Sequence, residues 1–333
     1  MSPSQKLNVL ITGCSPGGMG AALAVEFHNA GHHVYATARN PSKLSPLAEQ
    51  GIQTLTLDIT SPSSIESAVS AVTATLPPTR GLDILINNAA GSYTMPVVDA
   101  NLSAARDLFD INVWAHIAVT QAFLPLILRA TNPPPNPNSN PTTTTPTKAT
   151  TTTPFAPLIV NHTSVGSVTA LPFQGIYNAS KAALAMLTAT MRMELAPLGV
   201  RVVDLKTAGV RTNIIANNSF NNNTTTTTGG EENGGGARLP AGSVFAPVRE
   251  EVERIMSQEG LKERGVTAEQ WAAEVVGVLL GRSVPAEVWR GESALMARMA
   301  TAIPCGLAEE VVKRVTGMGA VEEGFRKVKA REG

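Results

Sequence analysis

Short apolar runs alternate with longer amphipathic stretches along the first two thirds of the chain. Six runs have the length and near-continuous apolarity of strands: 8–12, 32–38, 52–59, 82–89, 157–164 and 200–207. Helical spacing of apolar residues lies between them, at 21–31, 65–76, 105–130 and 181–199. Strands that are apolar on both faces are typical of a parallel sheet covered by helices on both sides. The pattern predicts an α/β fold, a doubly wound parallel sheet of the Rossmann type.

Two segments lack any apolar periodicity. Residues 131–154 are rich in Pro, Thr and Asn, and residues 217–236 are rich in Asn, Thr and Gly. Both are predicted to be flexible, low-complexity insertions. The second follows the sixth strand on the side where such sheets bind ligands, so it is either part of a lid or a neutral insertion. We expect one catalytic domain over 7–290 and a C-terminal helical extension over 291–333.

Composition narrows the functional classes. Lys+Arg and Asp+Glu are both 26, and aromatic residues are only 4%, so no nucleic-acid partner is expected. Cys14 and Cys305 form no spaced cluster, which argues against a disulfide framework and suits a reducing, cytoplasmic compartment. His32 and His33 point to opposite faces of a strand and cannot share a metal. No metal site is predicted.

Membrane association is the least constrained property. The apolar run at the N-terminus is too short for a signal peptide, and no stretch is judged apolar enough to span a bilayer. The nearest candidate is 293–308, which contains Arg298 and Pro304. The segment is interpreted as a buried helix or surface flap in preference to a segment that leans on a membrane or lipid. Peripheral contact with the endoplasmic reticulum or lipid droplets stays open.

A glycine-rich turn, TGCSPGGMG at 12–20, joins the first strand to the first helix. Such a turn lets the backbone approach a pyrophosphate at a helix N-terminus. The second strand then ends at Ala38–Arg39, where an NAD-preferring site usually carries an acid. A guanidinium pairs with a 2′-phosphate, so Arg39 favours NADP(H) over NAD(H). A solvated surface arginine is the alternative.

Polar residues cluster around the later strands. Tyr177 and Lys181 lie four residues apart where a helical pattern begins, Ser164 ends the fifth strand, and Asn112 lies in the long helix. Each residue alone would be an ordinary cap or turn residue. His162 is two residues from Ser164, but no third orienting acid is evident, so a hydrolase triad is not favoured.

Taken in chain order, these motifs resemble the short-chain dehydrogenase/reductase family. The resemblance covers about 7–216, and within the family it is greatest to fungal 1-acyldihydroxyacetone-phosphate reductase-like proteins, through LPFQGIYNASKAAL and the tail segment VWRGESALMARMATAIPCGLAEEV. It implies that Tyr177 donates a proton to a carbonyl oxygen and that Lys181 lowers the tyrosine pKa and holds the nicotinamide ribose. Ser164 would bind the substrate oxygen, and Asn112 would position a relay water.

The resemblance also implies a set of cofactor contacts. Asp58 would contact the adenine, Asn87, Asn88 and Ala89 would line the adenosine side, and Val210 and Thr212 would meet the carboxamide and phosphates. The full expected set is Ile11, Gly13, Ser15, Gly18, Met19, Gly20, Arg39, Asp58, Asn87, Asn88, Ala89, Tyr177, Lys181, Val210 and Thr212.

Three departures from the family pattern concern the cofactor loops. The glycine turn carries one extra residue between Gly13 and Gly18, Ala90 stands where the NNAG segment has glycine, and Ala208 replaces the proline of the PG turn. None removes a catalytic group, but they blur which loop residues touch the phosphates.

The sequence therefore predicts an NADPH-dependent carbonyl reductase for a lipophilic ketone, acyl-dihydroxyacetone phosphate or a fungal secondary-metabolite intermediate. Two alternatives stay open: an alcohol dehydrogenase of steroid or retinol type that uses NAD(P), and an NADPH-binding sensor without turnover. Relatives often pair through their long helices, so a homodimer or homotetramer is also expected.

Overall fold

The computed structural model describes residues 6–131, 155–213, 238–258 and 264–332. The insertions predicted at 131–154 and 217–236 lie outside these residues, apart from Thr131, which ends a helix. One seven-stranded sheet has the order β3-β2-β1-β4-β5-β6-β9, and every pairing in it is parallel. The strands are β1 Asn8–Ile11, β2 His33–Ala38, β3 Gln53–Thr56, β4 Ile84–Asn87, β5 Leu158–His162, β6 Arg201–Thr207 and β9 Glu287–Arg290. The predicted doubly wound α/β fold is confirmed.

Helices cover both faces of this sheet. They are α1 Met19–Asn29, α2 Ser45–Ala48, α3 Pro62–Thr75, α4 Leu102–Phe109, α5 Ala115–Thr131, α6 Gly175–Leu195, α7 Arg249–Met256, α8 Ala268–Leu279, α9 Ala294–Ala300, α10 Cys305–Thr316 and α11 Met318–Glu332. On one face α1 and α8 enclose an apolar core that contains Phe27 and Trp271. On the other face α3 and α5 enclose a second core around Val72 and Phe123. Burial of these side chains is the main source of stability.

The seventh strand was not predicted. β9 has only four residues and lies at the sheet edge, where it pairs with β6 in the register Leu205↔Val288. Only Val288 is buried among its residues, so the strand has no continuous apolar run. A separate two-stranded parallel sheet joins β7 Val210–Arg211 to β8 Val266–Thr267. Two-residue strands of this kind leave no pattern that a sequence window detects.

The long helix predicted at 105–130 is interrupted. A π-helical segment at Asp110–Trp114 separates α4 from α5. Counted with this π-helical segment, the helical stretch Leu102–Thr131 is, among the described residues, long and apolar enough to cross a membrane. Its most apolar window has a mean hydropathy of 1.6. The expectation that no stretch reaches this apolarity was therefore wrong. Half of that window is buried inside the protein, as in the core helix of a soluble domain.

A third apolar cluster lies above the carboxyl ends of the strands. It joins α7 and α11 to the segment before α6, through Val252, Val321 and Phe173. In α9, by contrast, Leu295 and Met299 are exposed. Of the predicted buried helix or surface flap at 293–308, the buried helix is therefore wrong, and the surface flap is not contradicted. In the C-terminal extension, α11 thus packs near the carboxyl ends of the strands, whereas α9 exposes apolar side chains.

Candidate active site

The predicted Tyr–Lys pair lies in the first two turns of α6. The helix begins at Gly175, six residues earlier than the apolar pattern indicated, so Tyr177 and Lys181 both lie within it. Residues four apart in a helix lie on one face. The Lys181 Nζ atom is 6.0 Å from the centre of the Tyr177 ring. The helix start therefore brings the phenol and the ammonium together.

Lys181 is held away from water. Its side chain is 2% exposed, and its Nζ donates a hydrogen bond of 2.9 Å to the backbone oxygen of His162 at the end of β5. Burial lowers the pKa of Lys181 to about 8, although the nearby negative charge of Asp204 opposes the shift. A cation in such a place acts strongly on its neighbours, because little solvent screens it.

Ser164 lies near the Tyr177 phenol and lowers its pKa. Ser164 follows β5 in extended conformation, with φ −158° and ψ 158°, and its Oγ accepts the Gly166 N–H at 3.0 Å. Burial raises the pKa of Tyr177, and the nearby Ser164 hydroxyl only partly offsets this. The expected net lowering of this pKa beside Lys181 is not observed: the pKa is raised, and the phenol holds its proton at neutral pH.

Asn112 lies at the centre of the π-helical segment, a feature that often marks functional sites. Its amide makes a reciprocal pair with Gly91: the Gly91 N–H donates to Oδ1 at 2.8 Å, and Nδ2 donates to the Gly91 oxygen at 3.1 Å. Nδ2 also donates to Ser180 Oγ at 3.0 Å. Asn112 therefore ties the segment after β4 to α6, while its role in positioning a water stays a prediction.

His162 is a structural residue that the sequence analysis considered only as a partner for Ser164. Asn88 Nδ2 donates to the Thr12 oxygen, so Asn88 Oδ1 is left as acceptor for His162 Nδ1, 2.9 Å away. His162 Nε2 then accepts from Thr207 Oγ1 at 2.6 Å. Burial lowers the pKa of His162, and Lys181 lowers it further, so the ring is neutral. Both ring nitrogens are occupied, and no Ser–His pair forms.

The glycine turn fits a close backbone approach by a pyrophosphate. Gly13 has φ +75°, and a Cβ there would lie 2.8 Å from the Ala89 Cα. A Cβ on Gly20 would lie 2.5 Å from Asn88 Nδ2. Gly18 caps α1 without a side-chain hydrogen bond, and the first turn carries no acid. The first N–H groups of α1 are thus free of side-chain caps, as an anion site requires.

The other predicted cofactor residues are distributed around this turn. Ile11 ends β1, and the Ser15 oxygen accepts the Gly18 N–H at 3.1 Å. Asn87 is buried, and its Nδ2 donates to Thr120 and Asn161, so its side chain points into the core. The remaining positions are Met19, packed beside the first core; Ala89, whose N–H donates to Thr12; Val210, at the start of β7; and Thr212, which follows β7.

Arg39 and Asp58 lie at the carboxyl ends of neighbouring strands. Arg39 follows β2 and is exposed, whereas Asp58 follows β3 and is half-buried. Burial acts to raise the pKa of Asp58, but hydrogen bonds from the Thr60 N–H and hydroxyl, at 2.9 and 2.7 Å, and the charge of Arg39 lower it overall. The carboxyl ends of β2 and β3 therefore carry one guanidinium and one carboxylate close to each other.

An apolar cap covers Tyr177. Its aromatic members are Phe173, Phe245 and Phe325. The Phe173 and Phe245 ring centres are 5.9 Å apart in an edge-to-face contact, and those of Phe245 and Phe325 are 6.1 Å apart with tilted planes. Phe173 has φ +61°, an uncommon conformation for a bulky residue. Its backbone oxygen accepts the Met95 N–H at 2.7 Å, which helps to hold this strained backbone. Sequence reasoning missed this aromatic cap because its members come from three distant segments.

Comparison with known proteins agrees with this geometry. A family model described as short chain dehydrogenase matches residues 7–132 and 153–223. A short-chain dehydrogenase/reductase from Pestalotiopsis microspora is 41% identical over 323 residues, which cover 97% of this chain and 98% of the relative. An NADPH-dependent 1-acyldihydroxyacetone phosphate reductase from Schizosaccharomyces pombe is 33% identical over 307 residues, 89% of each chain.

Solved structures support the fold. A short-chain dehydrogenase from Streptomyces avermitilis matches with a TM-score of 0.65 at 23% identity, covering 96% of this chain and 98% of the other. A relative from Burkholderia cenocepacia, in complex with NADP, matches with a TM-score of 0.64 at 20% identity, covering 92% and 98%. With the matching family model and the 41% identical relative, the chain is a member of the short-chain dehydrogenase/reductase family of oxidoreductases.

Proposed function

We propose that this enzyme is an NADPH-dependent carbonyl reductase that acts on a lipophilic ketone, with Tyr177 as the proton donor. The observation that carries the proposal is the arrangement of Tyr177 between the Ser164 hydroxyl and the buried ammonium of Lys181. A phenol with a raised pKa is protonated at neutral pH, so it suits the reductive direction.

The chain's own residues account for the proton transfer. NADPH, held by the glycine turn and beside Lys181, would supply a hydride for the carbonyl carbon. Ser164 Oγ accepts the Gly166 N–H, so its own proton is available to the carbonyl oxygen as negative charge develops there. Tyr177 gives its phenolic proton to that oxygen and completes the alcohol, and the ammonium of Lys181 stabilises the phenolate left behind.

Cofactor choice rests on Arg39. The exposed guanidinium at the end of β2 can pair with a 2′-phosphate through charge-assisted hydrogen bonds. No acid replaces it at the strand end itself, where ribose hydroxyls would otherwise be bound. The Schizosaccharomyces pombe relative, an NADPH-dependent reductase, supports the same choice.

The apolar cap favours a substrate with a large hydrocarbon part. Phe173, Phe245 and Phe325 belong to the cluster that packs against Tyr177, so a ketone that reaches the phenol meets apolar surface. Acyl-dihydroxyacetone phosphate, named for the Schizosaccharomyces pombe relative, and a fungal secondary-metabolite intermediate both have such a part.

Location and assembly follow as part of the proposal. We place the enzyme in the cytoplasm, and the exposed Leu295, Met296 and Met299 of α9 suit contact with endoplasmic-reticulum or lipid-droplet surfaces. Trp114 and Met186, exposed on the segment before α5 and on α6, suit pairing of two chains.

The test is turnover of NADPH, followed by its absorbance, with acyl-dihydroxyacetone phosphate, polyketide-like ketones and steroid ketones. Tyr177→Phe should lower kcat by about a thousandfold. Tyr35→Phe is the matched control, because Tyr35 also loses a buried hydroxyl, bonded to Thr75 at 2.9 Å, but lies in β2. Faster turnover of an alcohol with NAD would instead support an oxidative dehydrogenase. Tight NADPH binding without turnover, unchanged by Tyr177→Phe, would support a sensor.

A further inference from the structure

Two buried charges close to the active site have no part in the proton transfer above. Asp204 and Lys206 are 2% and 3% exposed and lie on the same face of β6, two residues apart. Lys206 Nζ forms an ion pair with Asp204 Oδ2. Burying two charges costs free energy unless each is paired and its hydrogen-bonding capacity is used. The remaining partners of the pair therefore indicate what it holds in place.

The other partners of the ion pair lie on either side of Ser164 in the sequence. Thr163 Oγ1 donates a hydrogen bond to Asp204 Oδ1, and Lys206 Nζ donates to Ser167 Oγ at 3.5 Å. Thr163 immediately precedes Ser164, and Ser167 ends the single 3₁₀ turn that follows it. The Ser167 N–H donates back to the Ser164 oxygen at 2.9 Å. Both ends of the short segment that carries the Ser164 hydroxyl are thus attached to one buried ion pair.

The edge strand β9 helps to hold the Asp204–Lys206 ion pair in place. Lys206 Nζ lies 5.5 Å from the centre of the Trp289 ring and 3.8 Å from Glu287 Oε1, both on β9. The Trp289 indole N–H donates to Glu287 Oε2 at 3.1 Å. The ammonium therefore has a cation–π contact and a second carboxylate that keep it in place beside Asp204.

We propose that Asp204, with Lys206 as its counter-ion, is a positioning residue for Ser164: its carboxylate anchors Thr163 and so sets where the Ser164 hydroxyl meets the substrate oxygen. The proposal deepens the function proposed above and rests on it for the reaction that Ser164 serves. Asp204 does not touch substrate or the reacting atoms; it acts through Thr163.

The same carboxylate acts on Lys181 through space. The groups that surround Lys181 are Tyr177 on its own helix, His162 on β5, His116 on α5 and Asp204 on β6. Both histidines have pKa values lowered by burial and are neutral, so Asp204 supplies the negative charge that favours the ammonium form of Lys181. Loss of Asp204 should therefore let Lys181 release its proton at lower pH.

The first test compares Thr163→Val with Thr163→Ser. Valine removes the hydroxyl that binds Asp204 and keeps the branched shape, whereas serine keeps the hydroxyl. Thr163→Val should lower kcat ten- to hundredfold while the Kd for NADPH is unchanged, because a small displacement of a reacting group has effects of that order. Thr163→Ser should retain kcat within about threefold of wild type. Equal rates in the two variants would overturn the proposal.

The second test needs no substrate. The titration of Lys181 is followed by lysine side-chain NMR, assigned with Lys181→Arg, in wild type and in Asp204→Asn. The midpoint in Asp204→Asn should fall below the wild-type value of about 8. Asp83→Asn is the matched control, because Asp83 is also a buried carboxylate, bonded to the Asn8 N–H at 2.8 Å, but it precedes β4, at the amino-terminal ends of the strands. An unchanged midpoint in Asp204→Asn, or an equal shift in Asp83→Asn, would overturn the through-space action of Asp204 on Lys181.

The positioning role can be tested even if the proposed reductase function is wrong. If wild type reduces no ketone, the crystallographic position of Ser164 in Thr163→Val and Thr163→Ser replaces the rate as readout. The proposal then requires the Ser164 hydroxyl to leave its wild-type position in the valine variant alone. An unmoved Ser164 hydroxyl in both variants would overturn the positioning role, whatever the reaction.

Discussion

The two ends of the site are built differently. At the chemical end, Lys181 is 2% exposed, and Lys181, Asn112 and His162 make hydrogen bonds that connect β4, β5, β6 and α6. At the phosphate end, Arg39 is exposed, and its effect on Asp58 is through charge. The first end is part of the core, whereas the second is a charge placed at a strand end.

We therefore expect the buried end to govern the reaction rate and the exposed end to govern the choice of cofactor. Groups inside a low-dielectric network act strongly, but each must be desolvated in the folded state, which costs stability. An exposed arginine costs the fold almost nothing, and its interactions weaken as salt is added. Substitutions at the two ends should therefore differ in their effects on rate, on unfolding free energy and on salt dependence.

The largest effect is expected from Lys181→Met, which tests the buried end. The variant should lose kcat by about a thousandfold, because the phenolate of Tyr177 is no longer stabilised. Its unfolding free energy at pH 7 should nevertheless equal or exceed that of wild type. The folded-state pKa of Lys181 is about 8 against 10.5 in the unfolded chain, a penalty of about 3 kcal/mol below pH 8. The lost hydrogen bond to His162 removes about 1 kcal/mol of this gain.

The sign of the pH dependence checks this account. Between pH 8 and 10.5 the unfolded chain binds the Lys181 proton more than the folded chain does, so the stability of wild type relative to Lys181→Met should rise with pH. The advantage of the variant should thus shrink over that range in denaturant titrations. Lys43→Met, at an exposed lysine, should show neither effect. A variant much less stable than wild type at pH 7 would mean that the lysine is a net structural support.

A smaller effect is expected at the exposed end, from Arg39→Asp. The Kd for NADPH should rise ten- to hundredfold, the value of one or two charge-assisted hydrogen bonds, with little change for NADH. The preference of wild type for NADPH should also fall as salt concentration rises, since the guanidinium is exposed. Both can be measured by titrating the two cofactors at low and high ionic strength.

The control for Arg39 is Lys43→Asp, which makes the same change of net charge on the neighbouring 3₁₀ turn Pro41–Leu44. If Lys43→Asp weakens NADPH binding as much as Arg39→Asp does, the general field of this surface selects the cofactor. Equal losses for NADH and NADPH in Arg39→Asp would contradict a specific pairing with the 2′-phosphate.

Sequence reasoning succeeded where patterns are local and failed where partners are distant. The Tyr177–Lys181 spacing and the glycine turn are each contained in a few residues, and strand periodicity set the fold class. The roles of His162 and Asp204 depend on Asn88, Thr207 and Thr163, which come from other strands. No single segment carries such a contact, although two buried-strand charges at 204 and 206 were a visible signal.

The cap above Tyr177 is intermediate in burial between the two ends of the site. Of the substitutions considered, Phe325→Ala should have the smallest effect. Phe325 is half-buried and contacts Phe245, with ring centres 6.1 Å apart. Its removal deletes apolar surface worth about 1–2 kcal/mol, so the KM for a lipophilic ketone should rise about tenfold while kcat and the Kd for NADPH stay near wild type. Phe325→Leu should restore most of the affinity. Phe155→Ala removes an equal ring beside Arg201, away from the cap, and should leave KM unchanged. A fall in kcat with KM unchanged would mean that the cap positions the catalytic side chains and does not bind the substrate.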